Sequence, residues 1–175
     1  SDFQVMTPVG EPYQVAAGIL TNNKQTIVVK NGDLAITGGS ADFSTGAIAM
    51  ENTASTQSVT VDSGNLTIQA GDGQGSAAGI ASYGTGALAQ DITVLGNITL
   101  TASQATDIDD DRDAFIDLFA TQNDNVAGAV QTIQVGADGT PGFITLQGGA
   151  GVGSGDGNWA YLTSTGMQNL TIQGG

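Results

Sequence analysis

The densest group of residues able to do chemistry lies in an acidic insertion at 103–113, which reads DIDDDRD from position 107 onwards. Asp107, Asp109 and Asp111 alternate along the chain, as the carboxylate ligands of a calcium-binding loop do, because hard oxygen ligands surround this hard cation. Together with Asp113 they form a candidate calcium site.

The rest of this insertion departs from the EF-hand pattern. Arg112 stands where such a loop needs a glycine for its sharp turn, and Leu118 stands where it needs a bidentate glutamate. Asp72 and Asp156 lie in equivalent glycine-rich turns and would add oxygen ligands along the same edge. Two interpretations stay open: a bound calcium ion, or a solvated acidic loop in a protein without a cofactor.

Catalysis is not predicted. The chain has no histidine and no cysteine, which excludes disulfides, thiol or Ser/His catalysis and zinc sites of the usual kind. Sugar-cleaving enzymes need paired carboxylates, or a basic residue beside acidic ones. Asp91 and Asp117 are isolated carboxylates within predicted strands. We therefore expect a protein that is not an enzyme.

Aromatic residues lie in or near one type of predicted strand, at Tyr13, Tyr83, Trp159 and Tyr161. About one aromatic residue per repeat unit is typical of ordinary packing at the edge of a coil, which is the simpler interpretation. The alternative is a carbohydrate-binding or carbohydrate-active groove. In that case Tyr83, Trp159 and Tyr161 would stack on sugars beside the aspartates from Asp107 to Asp117.

The charge balance excludes several partners. Three cationic residues stand against 17 acidic ones, for a net charge of −14. Nucleic-acid binding needs lysines and arginines to displace counterions, and docking on anionic membranes needs them too. No segment approaches 18 consecutive apolar residues, so no helical membrane insertion is predicted. The first residues do not form a signal peptide, so we expect one to have been removed or the chain to be part of something longer.

A sequence repeat predicts the strands that position these residues. Five similar phrases, QTIVV, QSVTV, QDITV, QTIQV and QNLTI, begin at Gln25, Gln57, Gln90, Gln131 and Gln168. The intervals between these glutamines are 32, 33, 41 and 37 residues. A period of this size indicates a solenoid in which each unit contacts only its neighbours.

Each unit contains three short stretches of alternating apolar residues, the pattern typical of strands. One begins at the glutamine, a second follows a turn, and a third, rich in Ala and Gly, precedes the glutamine. The stretch at 114–120 has some helical character, but its place in the repeat predicts a strand. Three strands and three turns per unit predict an all-β fold, a right-handed parallel β-helix of about five coils.

Stacked coils bring equivalent residues into ladders. We therefore predict an amide ladder formed by the five glutamines, of the kind that Asn and Gln form in cross-β assemblies. The whole chain, 1–175, is predicted to be one solenoid domain. An initial strand and turn at 1–14 precede approximate coils at 15–40, 41–71, 72–103, 104–149 and 150–175.

The unit has the form A-x-I, then Q-x-I-x-V, then G-x-L-x-I-x-G-G, as in AGILTNNKQTIVVKNGDLAITGGS at 17–40 and GALAQDITVLGNITLTAS at 86–103. It resembles the repeats of large secreted filamentous-haemagglutinin-type exoproteins of Gram-negative bacteria. The resemblance covers nearly the whole chain. It implies a right-handed parallel β-helix, export across the outer membrane and a role as an adhesin or extracellular fibre.

These features lead to one expected function. We expect a non-enzymatic structural or adhesive solenoid, located outside the cell or on a bacterial cell surface. Neither end of the sequence carries an obvious capping pattern, so its expected partner is itself, stacked head-to-tail, because open coil ends expose unpaired backbone groups. Cell-surface or matrix glycans are the second expected partner.

Overall fold

Alternating apolar and polar residues form strands throughout the described part of the computed structural model, which comprises residues 16–105, 112–120, 128–149 and 158–174. Numbered in chain order, sheet A holds β1 (Ala16–Thr21), β4 (Thr45–Thr53), β7 (Ala78–Thr85), β10 (Ala114–Ala120) and β13 (Ala160–Ser164). Sheet B holds β2 (Gln25–Val29), β5 (Thr56–Val61), β8 (Ala89–Val94), β11 (Val130–Val135) and β14 (Met167–Ile172). Sheet C holds β3 (Leu34–Thr37), β6 (Leu66–Gln69), β9 (Ile98–Thr101) and β12 (Ile144–Gln147).

The chain winds through the three sheets in turn, so that one strand from each sheet makes a coil. Within the described residues, β1 to β12 make four complete coils, and β13 and β14 belong to a fifth. Neighbouring strands in each sheet are parallel and come from successive coils. The predicted fold class, an all-β solenoid of three-strand coils, is confirmed.

The register of stacking aligns equivalent positions of the repeat. In sheet B, Gln25 pairs with Gln57, and Gln57 with Gln90. The same register places the aliphatic residues of successive coils above one another. Because side chains alternate between the two faces of a strand, this register points the aligned aliphatic residues of successive coils towards the interior of the solenoid.

The core is a stack of aliphatic layers between the three sheets. In the third coil Ile80, Ile92 and Leu100 are almost completely buried, one from each sheet. A second, smaller cluster fills a corner and contains Met50, Leu88, Leu118, Ala120 and Ala129. Burial of this aliphatic surface is the main source of stability, since each fully buried side chain contributes about 1.5–3 kcal/mol.

The segment with helical character is a strand, as predicted. In β10 the inward residues Ile116 and Leu118 alternate with the outward residues Phe115, Asp117 and Phe119. Pairing with β7 on one side and β13 on the other satisfies its backbone. The described residues contain no helix that is long and apolar enough to cross a membrane.

The corner between sheets B and C depends on glycine. Gly64 has a φ of 120°, which is strained for residues with a side chain. A Cβ atom on Gly64 would collide with the carbonyl oxygen of Gly32, and one on Gly96 would collide with that of Gly64. Successive coils therefore approach closely at this corner, which leads directly into the strands of sheet C.

Candidate functional site

The glutamines form a continuous ladder along one edge of sheet B. The Nε2 atom of each glutamine after Gln25 donates to the Oε1 atom of the glutamine one coil earlier, at 2.7 Å from Gln57 to Gln25 and 2.8 Å from Gln90 to Gln57. The next two distances are 2.7 Å from Gln131 to Gln90 and 2.5 Å from Gln168 to Gln131. All four amides point in the same direction, so the ladder is polar along the solenoid axis.

Each glutamine amide also ties sheet B to sheet A. The Nε2 atom of Gln57 donates to the carbonyl of Ala81 at 3.0 Å, and that of Gln90 donates to the carbonyl of Asp117 at 3.0 Å. Gln57, Gln90 and Gln131 are completely buried, whereas Gln168 is exposed. The buried side-chain nitrogens and oxygens of the described residues all have hydrogen-bond partners. The buried part of the ladder is therefore a structural element, with none of its amides left over for a ligand.

A second polar ladder runs along the corner before sheet C. The Oδ1 atom of Asp33 accepts from the backbone N–H of Asn65 at 2.7 Å, and the Oδ1 atom of Asn65 accepts from that of Asn97 at 3.0 Å. The Oδ1 atom of Asn97 in turn accepts from the N–H of Phe143 at 2.9 Å. Sequence reasoning missed this ladder, although an Asp or Asn directly before three of the sheet C strands was its signal.

The candidate calcium ligands are only partly within the described structure. Asp107, Asp109 and Asp111 lie outside the described residues. Asp113 lies within them, and its Oδ1 atom accepts from the backbone N–H of Trp159 at 2.8 Å. No group of three or more metal-ligating residues occurs among the residues that the structure describes. The calcium site remains a prediction.

Arg112, which follows four aspartates in the acidic insertion, is buried at a corner of the solenoid. Its side chain is the largest of those that are fully buried, and its Nε atom donates to the carbonyl of Gly73 at 2.8 Å. Nearby, the Oγ atom of Ser103 donates to Asp72 at 2.9 Å, and Asn158 reaches the carbonyl of Ser103. Asp156, which with Asp72 is expected to add oxygen ligands, lies outside the described residues. Arg112 joins two neighbouring coils at this corner.

The outer surface of sheet A carries the strongest candidate for ligand binding. We call it the aromatic face and define it by residues that point outward from β4, β7, β10 and β13 and their starts: Glu51, Tyr83, Asp113, Phe115, Asp117, Phe119, Trp159, Tyr161 and Thr163. Strand register aligns these residues in columns, because Glu51 pairs with Tyr83, and Tyr83 with Phe119. Phe115 pairs with Tyr161 in the same way.

The aromatic rings of this face form two pairs. Tyr83 and Phe119 meet edge to face with ring centroids 6.5 Å apart. Phe115 and Tyr161 are stacked, with centroids 5.9 Å apart and an interplanar angle of 18°. Such arrangements stabilise pairs by about 0.5–1.5 kcal/mol beyond the area they bury. Trp159, which is 60% exposed, adds a fifth ring beside them.

Small residues make the floor next to these rings. Ala47, Ala49 and Ala81 occupy the outward positions of β4 and β7, and Gly79 lies under the ring of Phe115. A Cβ atom on Gly79 would collide with that ring. The aromatic pairs therefore rise above a low and nearly flat surface, which is a shape that an extended ligand can approach from outside.

Asp117 is the half-buried carboxylate between the two aromatic pairs. Its Oδ1 atom accepts a hydrogen bond from the Oγ1 atom of Thr163 at 2.9 Å. Burial raises the pKa of Asp117, and the bond from Thr163 opposes that shift. Burial raises the pKa of Tyr83 as well, with a further increase from the charge of Asp117. The charge of Asp117 therefore acts on the hydroxyl group of Tyr83 on this face.

The structure places several residues of the predicted carbohydrate groove on one face. Tyr83, Asp117, Trp159 and Tyr161 all lie on the aromatic face, whereas Tyr13 lies outside the described residues. Sequence reasoning missed Phe115 and Phe119, whose alternation with buried residues in 114–120 was the available signal. Asp91 lies elsewhere, on the outer surface of sheet B.

No protein-family model, curated protein or solved structure matches this chain. The guides to its function are therefore the chemistry of the described residues and the resemblance carried by the repeat.

Proposed function

We propose that this chain is a non-enzymatic, adhesive β-solenoid that binds glycans on its aromatic face. The observation that carries this proposal is the placement of two aromatic pairs side by side on one flat sheet, with Asp117 and Thr163 between them. Aromatic ring faces attract the weakly positive C–H groups of sugar rings, and the carboxylate and hydroxyl accept or donate hydrogen bonds to sugar hydroxyls.

Rigidity of the scaffold supports this function. Most of the aromatic face is built on β4, β7 and β10, whose backbones are paired on both sides, whereas β13 lies at the sheet edge and is paired with β10. The glutamine ladder ties sheet A to the neighbouring sheet at Ala81 and Asp117. A face that is ordered before binding loses little conformational entropy when the ligand arrives. A shallow, preformed surface suits an extended polysaccharide better than a small molecule, which prefers an enclosed pocket.

We also propose a location for this protein. The repeat resembles those of secreted filamentous-haemagglutinin-type exoproteins, and its acidic, cysteine-free composition is compatible with a place outside the cell. We therefore place the chain on a bacterial cell surface or in an extracellular filament, where it would attach to cell-surface or matrix glycans.

A panel of soluble oligosaccharides tests the proposal directly. Binding measured by calorimetry or by quenching of the fluorescence of Trp159 should occur with at least one glycan class and should weaken when Phe119 is replaced by alanine. A protein that binds no member of a broad panel would refute the glycan-binding function.

End-to-end stacking is a second candidate function, and a specific observation favours it. Leu170 and Ile172 of β14 are 49% and 50% exposed, whereas their register partners Ile133 and Val135 in β11 are fully buried. A further coil, from more repeats or from another copy, would bury this apolar strand. Sedimentation velocity and electron microscopy of the protein and of a Leu170→Asp variant test this, and we expect filaments or oligomers that the substitution abolishes.

A further inference from the structure

The aromatic face carries charge of one sign. Its ionisable carboxylates are Glu51, Asp113 and Asp117, and the described strands of sheet A contain no lysine or arginine. Among the described cationic residues, Lys24 and Lys30 flank β2 in sheet B, and Arg112 is buried in a corner. A ligand on the aromatic face therefore meets carboxylates and aromatic rings but no cationic side chain from that sheet.

Both kinds of side chain on this face attract positive charge. Aromatic rings present a negative quadrupole to a cation above their faces, and carboxylates attract it by direct Coulomb interaction. Asp117 is half buried between the aromatic pairs, so its charge is screened less by water than that of a fully exposed carboxylate. An anionic glycan would be repelled by the carboxylates, and a neutral glycan would gain hydrogen bonds from them but no attraction between opposite charges.

We infer that the aromatic face selects cationic glycans, meaning polymers of amino sugars whose amines carry no acetyl group. This inference rests on the proposed glycan-binding function and specifies its ligand class. The sugar ring stacks on the Phe115–Tyr161 pair, and the ammonium group lies near Asp117, where the ring of Tyr83 adds cation–π attraction. Charge determines which class of glycan binds most tightly, whereas ring stacking contributes binding energy for every class of glycan.

Three oligosaccharides of equal length test this inference: a fully deacetylated glucosamine oligomer, its N-acetylated counterpart and a uronic acid oligomer. At low ionic strength and pH 6, calorimetry should show the deacetylated oligomer binding about tenfold more tightly than the acetylated one, a difference of 1.4 kcal/mol. The difference should shrink as salt is added, and the uronic acid oligomer should bind most weakly.

Charge-removing variants separate recognition on the face from general attraction to an acidic protein. Asp117→Asn, which keeps an acceptor for Thr163, and the exposed variant Glu51→Gln should each lower the preference for the deacetylated oligomer. Asp91→Asn removes an exposed carboxylate from sheet B and should leave the preference unchanged. Equal losses in the Asp91 and Asp117 variants would overturn the inference.

Other results would distinguish a wrong ligand class from a wrong proposed function. Equal or tighter binding of the acetylated or uronic acid oligomer would overturn the inference and leave glycan binding intact. Failure of all three oligomers to bind overturns the inference, and failure of the broad panel as well overturns the proposed function. A deacetylated-oligomer preference that Asp117→Asn removes and Asp91→Asn preserves supports both.

Discussion

The amide nitrogen of Gln90 donates a hydrogen bond to the amide oxygen of Gln57 over 2.8 Å, although the two residues are 33 positions apart in the sequence. The same oxygen of Gln57 also accepts from the hydroxyl of Ser82 at 2.9 Å. Gln90 is completely buried and continues the ladder to Gln131. One side chain thus connects three coils and two sheets.

Replacing Gln90 by alanine should therefore be costly. The change removes one of the two acceptors of the Gln131 amide, which keeps its bond to the carbonyl of Thr163, and the donor to the carbonyl of Asp117. Each buried hydrogen bond lost in this way costs about 1–3 kcal/mol. We expect Gln90→Ala to lower the free energy of unfolding by about 3 kcal/mol, measured by urea denaturation. Gln168→Ala is the matched control, because this exposed end of the ladder should lose less than about 1 kcal/mol. Equal losses in both variants would contradict a buried ladder.

The second ladder should contribute less than the first, because it is only half buried. Asn97→Ala removes the side-chain acceptor of the Phe143 N–H and the donor to Asn65. We expect a loss of about 1 kcal/mol in the free energy of unfolding. Asn97→Asp keeps the acceptor oxygen and should lose less at neutral pH. Denaturation of the two variants in parallel checks this order, and the reverse order would contradict the ladder.

Arg112 should stabilise the corner between two coils. Arg112→Met preserves the length of the side chain but removes the charged donor to the buried carbonyl of Gly73, which keeps only the bond from the backbone N–H of Ser76 at 3.1 Å. Since hydrogen bonds to charged groups contribute about 1.5–3 kcal/mol, we expect a loss of about 2 kcal/mol in thermal or urea unfolding. Lys30→Met, which removes an exposed cation, should change stability by less than about 0.5 kcal/mol. An increase in stability for Arg112→Met would mean that desolvation outweighs the guanidinium contacts.

The aromatic face should lose affinity when either ring pair is broken. Phe119→Ala removes the partner of Tyr83, and we expect glycan affinity to fall about tenfold, which corresponds to 1.4 kcal/mol. Phe143→Ala is the matched control, because that phenylalanine is 63% exposed and lies beside sheet C. Calorimetric titration with the best glycan of the panel gives both values, and a similar loss in the control would show that the face is not the site.

The ionisation of Asp117 should make the stability of the folded protein depend on pH. Because burial raises its pKa, the folded protein holds this proton more tightly than the unfolded chain does. The resulting stabilisation is present below the ordinary value of 3.8 and is lost as pH rises through the raised pKa. Asp117→Asn should therefore melt at a higher temperature than the parent protein at pH 7, with the difference vanishing below the ordinary value. A difference independent of pH would contradict this assignment.

Much of the fold follows from local sequence patterns. Alternation with a period of two predicts each strand, and the recurrence of glutamine predicts which strands stack, because a parallel stack buries its apolar residues only when equivalent positions align. This reasoning gave the strand at 114–120 although its composition has helical character. It also predicted which glutamines would align, since identical amides satisfy one another only in that register.

The aromatic face was harder to predict, because its members come from different coils. Tyr83 and Phe119 occupy equivalent positions of successive coils, but the intervening acidic insertion changes the interval between those positions. Phe115 and Phe119 also look like ordinary apolar residues in a strand. Only the alternation with Ile116 and Leu118 assigns them to the outer surface, and that alternation does not tell which aromatic rings will meet.

The sequence by itself determined the coil, its three strands and its aligned glutamines, because these depend on short-range alternation and on one repeated interval. Only the tertiary structure decided that Arg112 is buried, that Asp33, Asn65 and Asn97 form a second ladder, and that Tyr83 meets Phe119 beside Asp117. These contacts join side chains from different coils, and their partners are set by the stacking register, which is a property of the whole solenoid. The physical reason is that stacked strands lie about 4.8 Å apart, so any pair of aligned positions becomes neighbours whatever their distance along the chain.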